Sequence, residues 1–169
     1  HGVVGGNQAG SHQRCQQGDG AGGVAAGVGD PGGALHGVEL ADAFARGVTS
    51  QGVDVEHLGL CSTDELFFAA GRYDAPGAQL TASHNPAGYN GIKLALAGAR
   101  PVGEDSGLAE IKAMAATGLD AAPVAGSVST GDALAAYAAH VHSFVDVSSL
   151  APLKVVADTA NGMGGLVVP

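Results

Sequence analysis

Ala78-Gln79-Leu80-Thr81-Ala82-Ser83-His84-Asn85-Pro86-Ala87-Gly88-Tyr89-Asn90-Gly91-Ile92-Lys93-Leu94-Ala95-Leu96 sets two short apolar runs on either side of a polar loop. The runs, 78–81 and 92–96, have strand length, and Ala75-Pro76-Gly77 supplies a turn before the first. A loop between two strands sits at the end of a sheet, where α/β folds place their ligands. Ser83 brings a hydroxyl nucleophile, while His84 and Lys93 can carry protons or oppose phosphate charge. Pro86 sets the turn, and Asn85, Asn90 and Gly91 tolerate tight backbone whose amides can cradle a phosphoryl group. Lys93, one of only three lysines, interrupts its strand, so its head must reach water or a pocket. By composition alone, an ordinary Ser/Asn/Gly/Pro connection that binds nothing fits equally well.

Outward from the loop, elements alternate. Leu40, Phe44 and Val48 recur every four residues, with Ala43 and Gly47 on the same stripe, which predicts an amphipathic helix over 38–50. Val53, Val55 and Leu58-Gly59-Leu60 predict a strand. Ser62 and Glu65 match a capping box and predict a helix over 63–72. Leu108, Ile111 and Ala115 mark a third helix behind the acidic Glu104-Asp105, whose charges suit a helix N-terminus. Residues 118–131 read as a linker. Leu134, Tyr137, Val141 and Phe144 predict a helix over 132–145 with these four in the core, and Lys154–Ala157 a strand. Strands alternating with helices indicate α/β layering.

One further segment resists this pattern. Residues 1–37 hold 13 of the 29 glycines and no sustained apolar period, so order there is expected only through packing on the rest. Gly18-Asp19-Gly20-Ala21-Gly22-Gly23 lacks the Gly-Lys-Ser/Thr ending of a nucleotide loop. His12 and Cys15 lack a second pair to complete a metal site, and His140 and His142 point to different sides of their helix.

Composition narrows the function. Apolar residues at 46% fill a core, but aromatics at 4% and no Trp mean that it rests on Ala, Val and Leu. A net charge of −9 argues against general nucleic-acid or anionic-membrane binding, yet a local pocket can still take an anion. Two cysteines, Cys15 and Cys61, make no disulfide framework, and no run of eighteen apolar residues occurs, which fits a cytoplasmic setting.

Thr81 to Lys93, with TASHNP followed by NGIK, resembles the phosphoserine loop of the α-D-phosphohexomutases, in particular the bacterial phosphomannomutase/phosphoglucomutase family. Glu39–Val48, Gly52–Val55, Gly59-Leu60 and Ser62-Thr63 are similar to the elements preceding that loop, and Val155–Gly162 to the opening strand of the family's second domain. The resemblance implies an α/β, mixed-sheet, three-layer first domain plus the beginning of a second: a Gly-rich segment at 1–37, a first domain at 38–128 and a truncated second at 129–169. It also implies that Ser83 carries the phosphoryl group and helps ligate Mg²⁺, that Lys93 is a general acid/base, and that His84 binds or polarises the phosphate. Thr81, Asn85 and Asn90 would then contact hexose phosphates or a hexose bisphosphate. Asp158 and Asn161 would form a turn or face the cleft.

The likeness has gaps. No DGDxDR, GExSGH or RxSGTEP string occurs, so the other metal ligands and the sugar-reading segments are absent and the chain is expected to be inactive alone. His1 stands where the family places an active-site arginine. The strand with a D-x-R motif expected before the first helix is missing, and residues 6–36 read as a frameshifted or damaged stretch. Phosphoglucosamine mutase, a non-catalytic remnant and an unrelated α/β binding module remain alternatives.

Overall fold

A short run of small apolar residues, Val-Ala-Ala-Gly-Val, forms the strand on which the rest is assembled. In the computed structural model, which describes residues 23–29, 37–82, 85, 86, 89–159 and 162–169, this is β1 (Val24–Val28). There follow α1 (Gly37–Ser50), β2 (Val55–Leu60), α2 (Thr63–Arg72), β3 (Gly77–Leu80), β4 (Ile92–Leu96) and β5 (Arg100–Pro101). A 3₁₀ turn at Glu104–Ser106 leads to α3 (Leu108–Thr117), β6 (Val128–Thr130), α4 (Leu134–His142) and α5 (Gly164–Val167). The sheet order is β5-β4-β3-β1-β2-β6. Strands β3, β1, β2 and β6 run parallel, and β4 and β5 add an antiparallel edge.

Side-chain alternation along β1 serves both faces. Ala26 and Val28 pack with Ala45 and Ala41 of α1 and with Val55 and Leu80 of the neighbouring strands, whereas Ala25 clusters with Leu66 and Ala69 of α2 and with Leu58 and Cys61. Helix, sheet and helix make three layers, and the alanines let them approach closely. Ser62 caps α2 as the sequence predicts: the Glu65 N–H donates to its Oγ at 3.1 Å and the Ser62 N–H to Glu65 Oε2 at 3.4 Å.

Five expectations are corrected. The sequence reading placed no strand before the first helix, yet β1 lies between β3 and β2 and is buried over four of its five residues. Its residues are too small to mark an apolar period, and burial on both faces removes the alternation that such a reading seeks. The buried stripe of α1 is Gly37, Ala41 and Ala45, and of the expected stripe Phe44 and Val48 pack half-buried beside it, while Leu40, Ala43 and Gly47 lie exposed. With alanines on both stripes, the larger side chains misled the phase. The presumed linker contains β6, held to β2 by the ladder and by Asp54, whose Oδ1 accepts from both the N–H and hydroxyl of Ser127 at 2.7 Å. β6 straddles the boundary drawn at 128/129.

In α4 none of Leu134, Tyr137, Val141 and Phe144 is buried, and Phe144 is 69% exposed. Their helical spacing aligns a face that packs sideways on α2 rather than into the core. Residues 154–157 form no strand, with Val156 95% exposed. A strand requires a neighbour to complete its ladder, and among the described residues nothing pairs with this one.

Candidate active site

The parallel strands all end on one edge. The N–H of Gly29, just past β1, donates to the carbonyl of Leu80 at 2.9 Å, and the N–H of Cys61, just past β2, donates to the carbonyl of Val28 at 3.0 Å. From this edge the chain leaves β3 at Thr81, which is buried, and returns into β4 at Gly91. The Thr81 N–H donates to the Gly91 carbonyl at 2.9 Å, which closes the loop at its base. Farther out, the Asn85 N–H bonds the carbonyl of Ala82 at 2.8 Å, and the Tyr89 N–H that of Pro86 at 3.2 Å. A Cβ on Gly91 would stand 3.1 Å from the Thr81 carbonyl, so glycine keeps the closure tight.

Of the sequence-predicted residues, Thr81 stands at the closure, Asn90 precedes Gly91, and Lys93 lies two residues past Gly91 in β4. Lys93 is exposed and sits directly opposite Gln79 in the β3–β4 ladder. Asn90 is half-buried, and its Oδ1 is buried with no hydrogen-bond partner among the described residues. Such an orphaned acceptor costs about 1–3 kcal/mol and marks a place for a donor. Asn85 is exposed, and so is Asp158 in its irregular segment. Ser83, His84 and Asn161 lie outside the described residues.

Three features escaped the sequence reading. Gln79 is fully buried beneath the loop and bonded to Cys61; the available signal was a lone amide in an apolar strand opposite the only lysine of the hairpin. Burial, then the nearby Glu65 charge, pushes the Cys61 thiol up to about 12, so it is inert at neutral pH. Burial also raises the Glu65 carboxyl above its usual range, opposed by the Ser62 N–H bond and helped by Asp132. On the outer side of α2, Phe67, Phe68, Tyr137, Val141 and Phe144 line an open groove of about 600 Å³. Among the described residues no three His, Cys, Asp or Glu side chains gather to hold a metal. The described donors therefore do not fit Mg²⁺ by themselves.

A family model for phosphoglucomutase/phosphomannomutase, alpha/beta/alpha domain I, matches residues 33–122, a span that contains the whole loop. The chain belongs to the phosphoglucomutase/phosphomannomutase family. Over 132 residues it is 42% identical to phosphohexose mutases of Xanthomonas campestris pv. campestris, covering 76% of this chain and 29% of the relative. The phosphomannomutase of Salmonella typhimurium is 39% identical, covering 75% and 28%. A solved phosphoglucomutase/phosphomannomutase family protein from Burkholderia thailandensis superposes with a TM-score of 0.60 at 29% identity, covering 79% of this chain and 29% of that one. A structure described as a phosphomannomutase from Thermus thermophilus gives 0.61 at 30% identity, covering 76% and 29%. This phosphoglucomutase/phosphomannomutase chain thus spans under a third of the length of these relatives, and its layers are those of their first domain.

Proposed function

We propose that this chain carries the phosphoserine domain of a phosphohexomutase, an isomerase that moves a phosphoryl group between C1 and C6 of mannose or glucose phosphate. The observation that carries this reading is the family match over 33–122, a span that includes residues 81–93. Phosphorylated Ser83 would lose its phosphoryl group to a sugar hydroxyl: the Ser83 O–P bond breaks, the sugar O–P bond forms, and the hydroxyl proton leaves. Lys93 would take that proton or return one to the serine oxygen, and His84 would steady the phosphate. The bisphosphorylated sugar then turns over and gives its other phosphoryl group back to Ser83.

Asn85 and Thr81 would present polar groups to the phosphate, and the orphaned Oδ1 of Asn90 would accept from a substrate hydroxyl. Phosphorylated Ser83 would be the one ligand this chain offers to Mg²⁺, which when bound supplies neutralisation of phosphoryl charge. With that little of the machinery, the 169-residue chain takes up a phosphoryl group but does not complete a cycle. No described helix is long and apolar enough to cross a membrane.

Incubation with glucose 1,6-bisphosphate and intact-mass analysis tests this reading. A single phosphoryl adduct on Ser83, absent in Ser83→Ala, supports it; an unmodified Ser83 sinks it and favours a non-catalytic remnant. Conversion of mannose 1-phosphate to mannose 6-phosphate by the chain alone would overturn its incompleteness.

A further inference from the structure

A primary amide is tolerated in an apolar interior only when its donors and acceptor are met. Gln79, third residue of β3, is 0% exposed. Its Nε2 donates to the Cys61 carbonyl at 3.0 Å, and its Oε1 accepts from the Cys61 thiol at 3.4 Å. Cys61 follows β2, and β1 runs between β2 and β3, so this side chain reaches across the middle strand. It can do so only because that strand is notched. Gly27 is the register partner of Gln79, and a Cβ there would overlap Cys61 Sγ and stand 2.9 Å from Gln79 Oε1. A Cβ on Gly29 would stand 2.6 Å from Gln79 Nε2. Thr81, where the loop departs, is two residues along; Lys93 is directly opposite, on the same face of the antiparallel ladder.

We propose that Gln79 is a positioning residue: its amide latches the end of β3 to the end of β2 across β1, and so fixes where the Thr81–Gly91 loop and Lys93 leave the sheet. The latch can be read without catalysis. Only its consequence for phosphoryl uptake rests on the function proposed above.

Amide exchange on the ¹⁵N-labelled 169-residue chain tests the latch in wild type, Gln79→Met and Gln79→Glu. In wild type the Gln79 Nε2 protons exchange far more slowly than those of the exposed Gln51. Gln79→Met fills the space without a donor, so protection at the Thr81 N–H falls about ten-fold, the loss expected of one buried hydrogen bond, while the Val55 N–H on β2 keeps its own. Gln79→Glu loses the same protection at neutral pH and regains it in acid, where a protonated carboxyl can again donate to the Cys61 carbonyl. A change in packing alone would not produce the acid rescue.

Unchanged Thr81 protection in both variants overturns the latch, as do Gln79 side-chain protons exchanging as fast as those of Gln51. The wild-type measurement decides even if neither variant folds. If wild type takes up no phosphoryl group while the exchange results hold, the functional reading fails and the latch stands.

Discussion

The N–H of Thr81 and the carbonyl of Gly91 meet at 2.9 Å, so the polar loop leaves the sheet and re-enters it at one point. That closure makes β3 and β4 a hairpin with a large head, and it sets Lys93 two residues beyond the hinge, opposite the buried Gln79. A lysine on a strand is held more exactingly than one on a loop. Its stem follows the ladder, while its head remains in solvent.

Lys93→Met should therefore separate chemistry from folding. The side chain is exposed, so the thermal midpoint stays within a degree or two, as usual for surface substitutions. Phosphoryl uptake at Ser83 slows at least about 10²-fold, the low end for removal of a general acid/base. Lys93→Arg keeps the charge without a usable proton equilibrium and should be nearly as slow. Time-resolved intact mass reads both, and an arginine variant at wild-type speed would reduce Lys93 to a charge.

Gly27→Ala should destabilise the whole domain. The added methyl enters the space shared by Cys61 Sγ and Gln79 Oε1, at the centre of the sheet, where neither neighbour can swing toward solvent. Overpacking of this kind costs about 1–3 kcal/mol, and displacement of the buried amide bond keeps the effect at the upper end. The urea midpoint falls while the slope holds. Gly47→Ala, with open space around its Cβ position in α1, moves the midpoint slightly upward instead.

What the sequence made legible followed from local rules. The Ser62/Glu65 box ended up as read because a cap is decided within four residues, and Ile92–Leu96 because its apolar run is dense. The loop's strand–loop–strand setting was legible for the same reason. β1 was not: Val24–Val28 owes its place to pairing with β2 and β3, which are distant in sequence. The phase of α1 was lost where alanine, not leucine, faces the sheet. The Gln79–Cys61 bond spans eighteen residues and depends on two glycines of a strand that local pattern did not reveal.

The buried Glu65 gives stability a pH signature. Burial raises its carboxyl above the ordinary 4.5, so the folded chain holds a proton that the unfolded chain has released. That contribution is fully present below the unfolded value and is lost as pH rises through the folded one. Glu65→Gln is neutral throughout and still offers an oxygen to the Ser62 N–H, so it removes the loss. Relative to wild type it gains stability as the pH rises above 4.5, and the gain vanishes in acid. Chemical denaturation at several pH values measures this; a gap that widens toward acid would contradict the sign.

The docking of α4 rests on rings rather than on buried aliphatics. Phe68 of α2 lies 5.7 Å from the Tyr137 ring and 5.0 Å from His140, whose other side meets Phe144 at 4.7 Å, while Arg72 stands 5.9 Å over Phe68. Tilted and edge-on aromatic pairs add about 0.5–1.5 kcal/mol each beyond their burial. Phe68→Leu keeps an apolar side chain on α2 facing α4 and removes every ring contact that Phe68 makes. α4 should then be freed before the sheet opens: limited proteolysis cuts within 134–142 at least about five-fold faster, as a loss near 1 kcal/mol predicts when cleavage follows a local opening. The urea midpoint of the sheet, anchored by Leu66, Ala69 and Cys61 on the opposite side of α2, hardly moves. Equal acceleration of cleavage in 134–142 and in α1 would mean instead that the rings hold the domain as a whole.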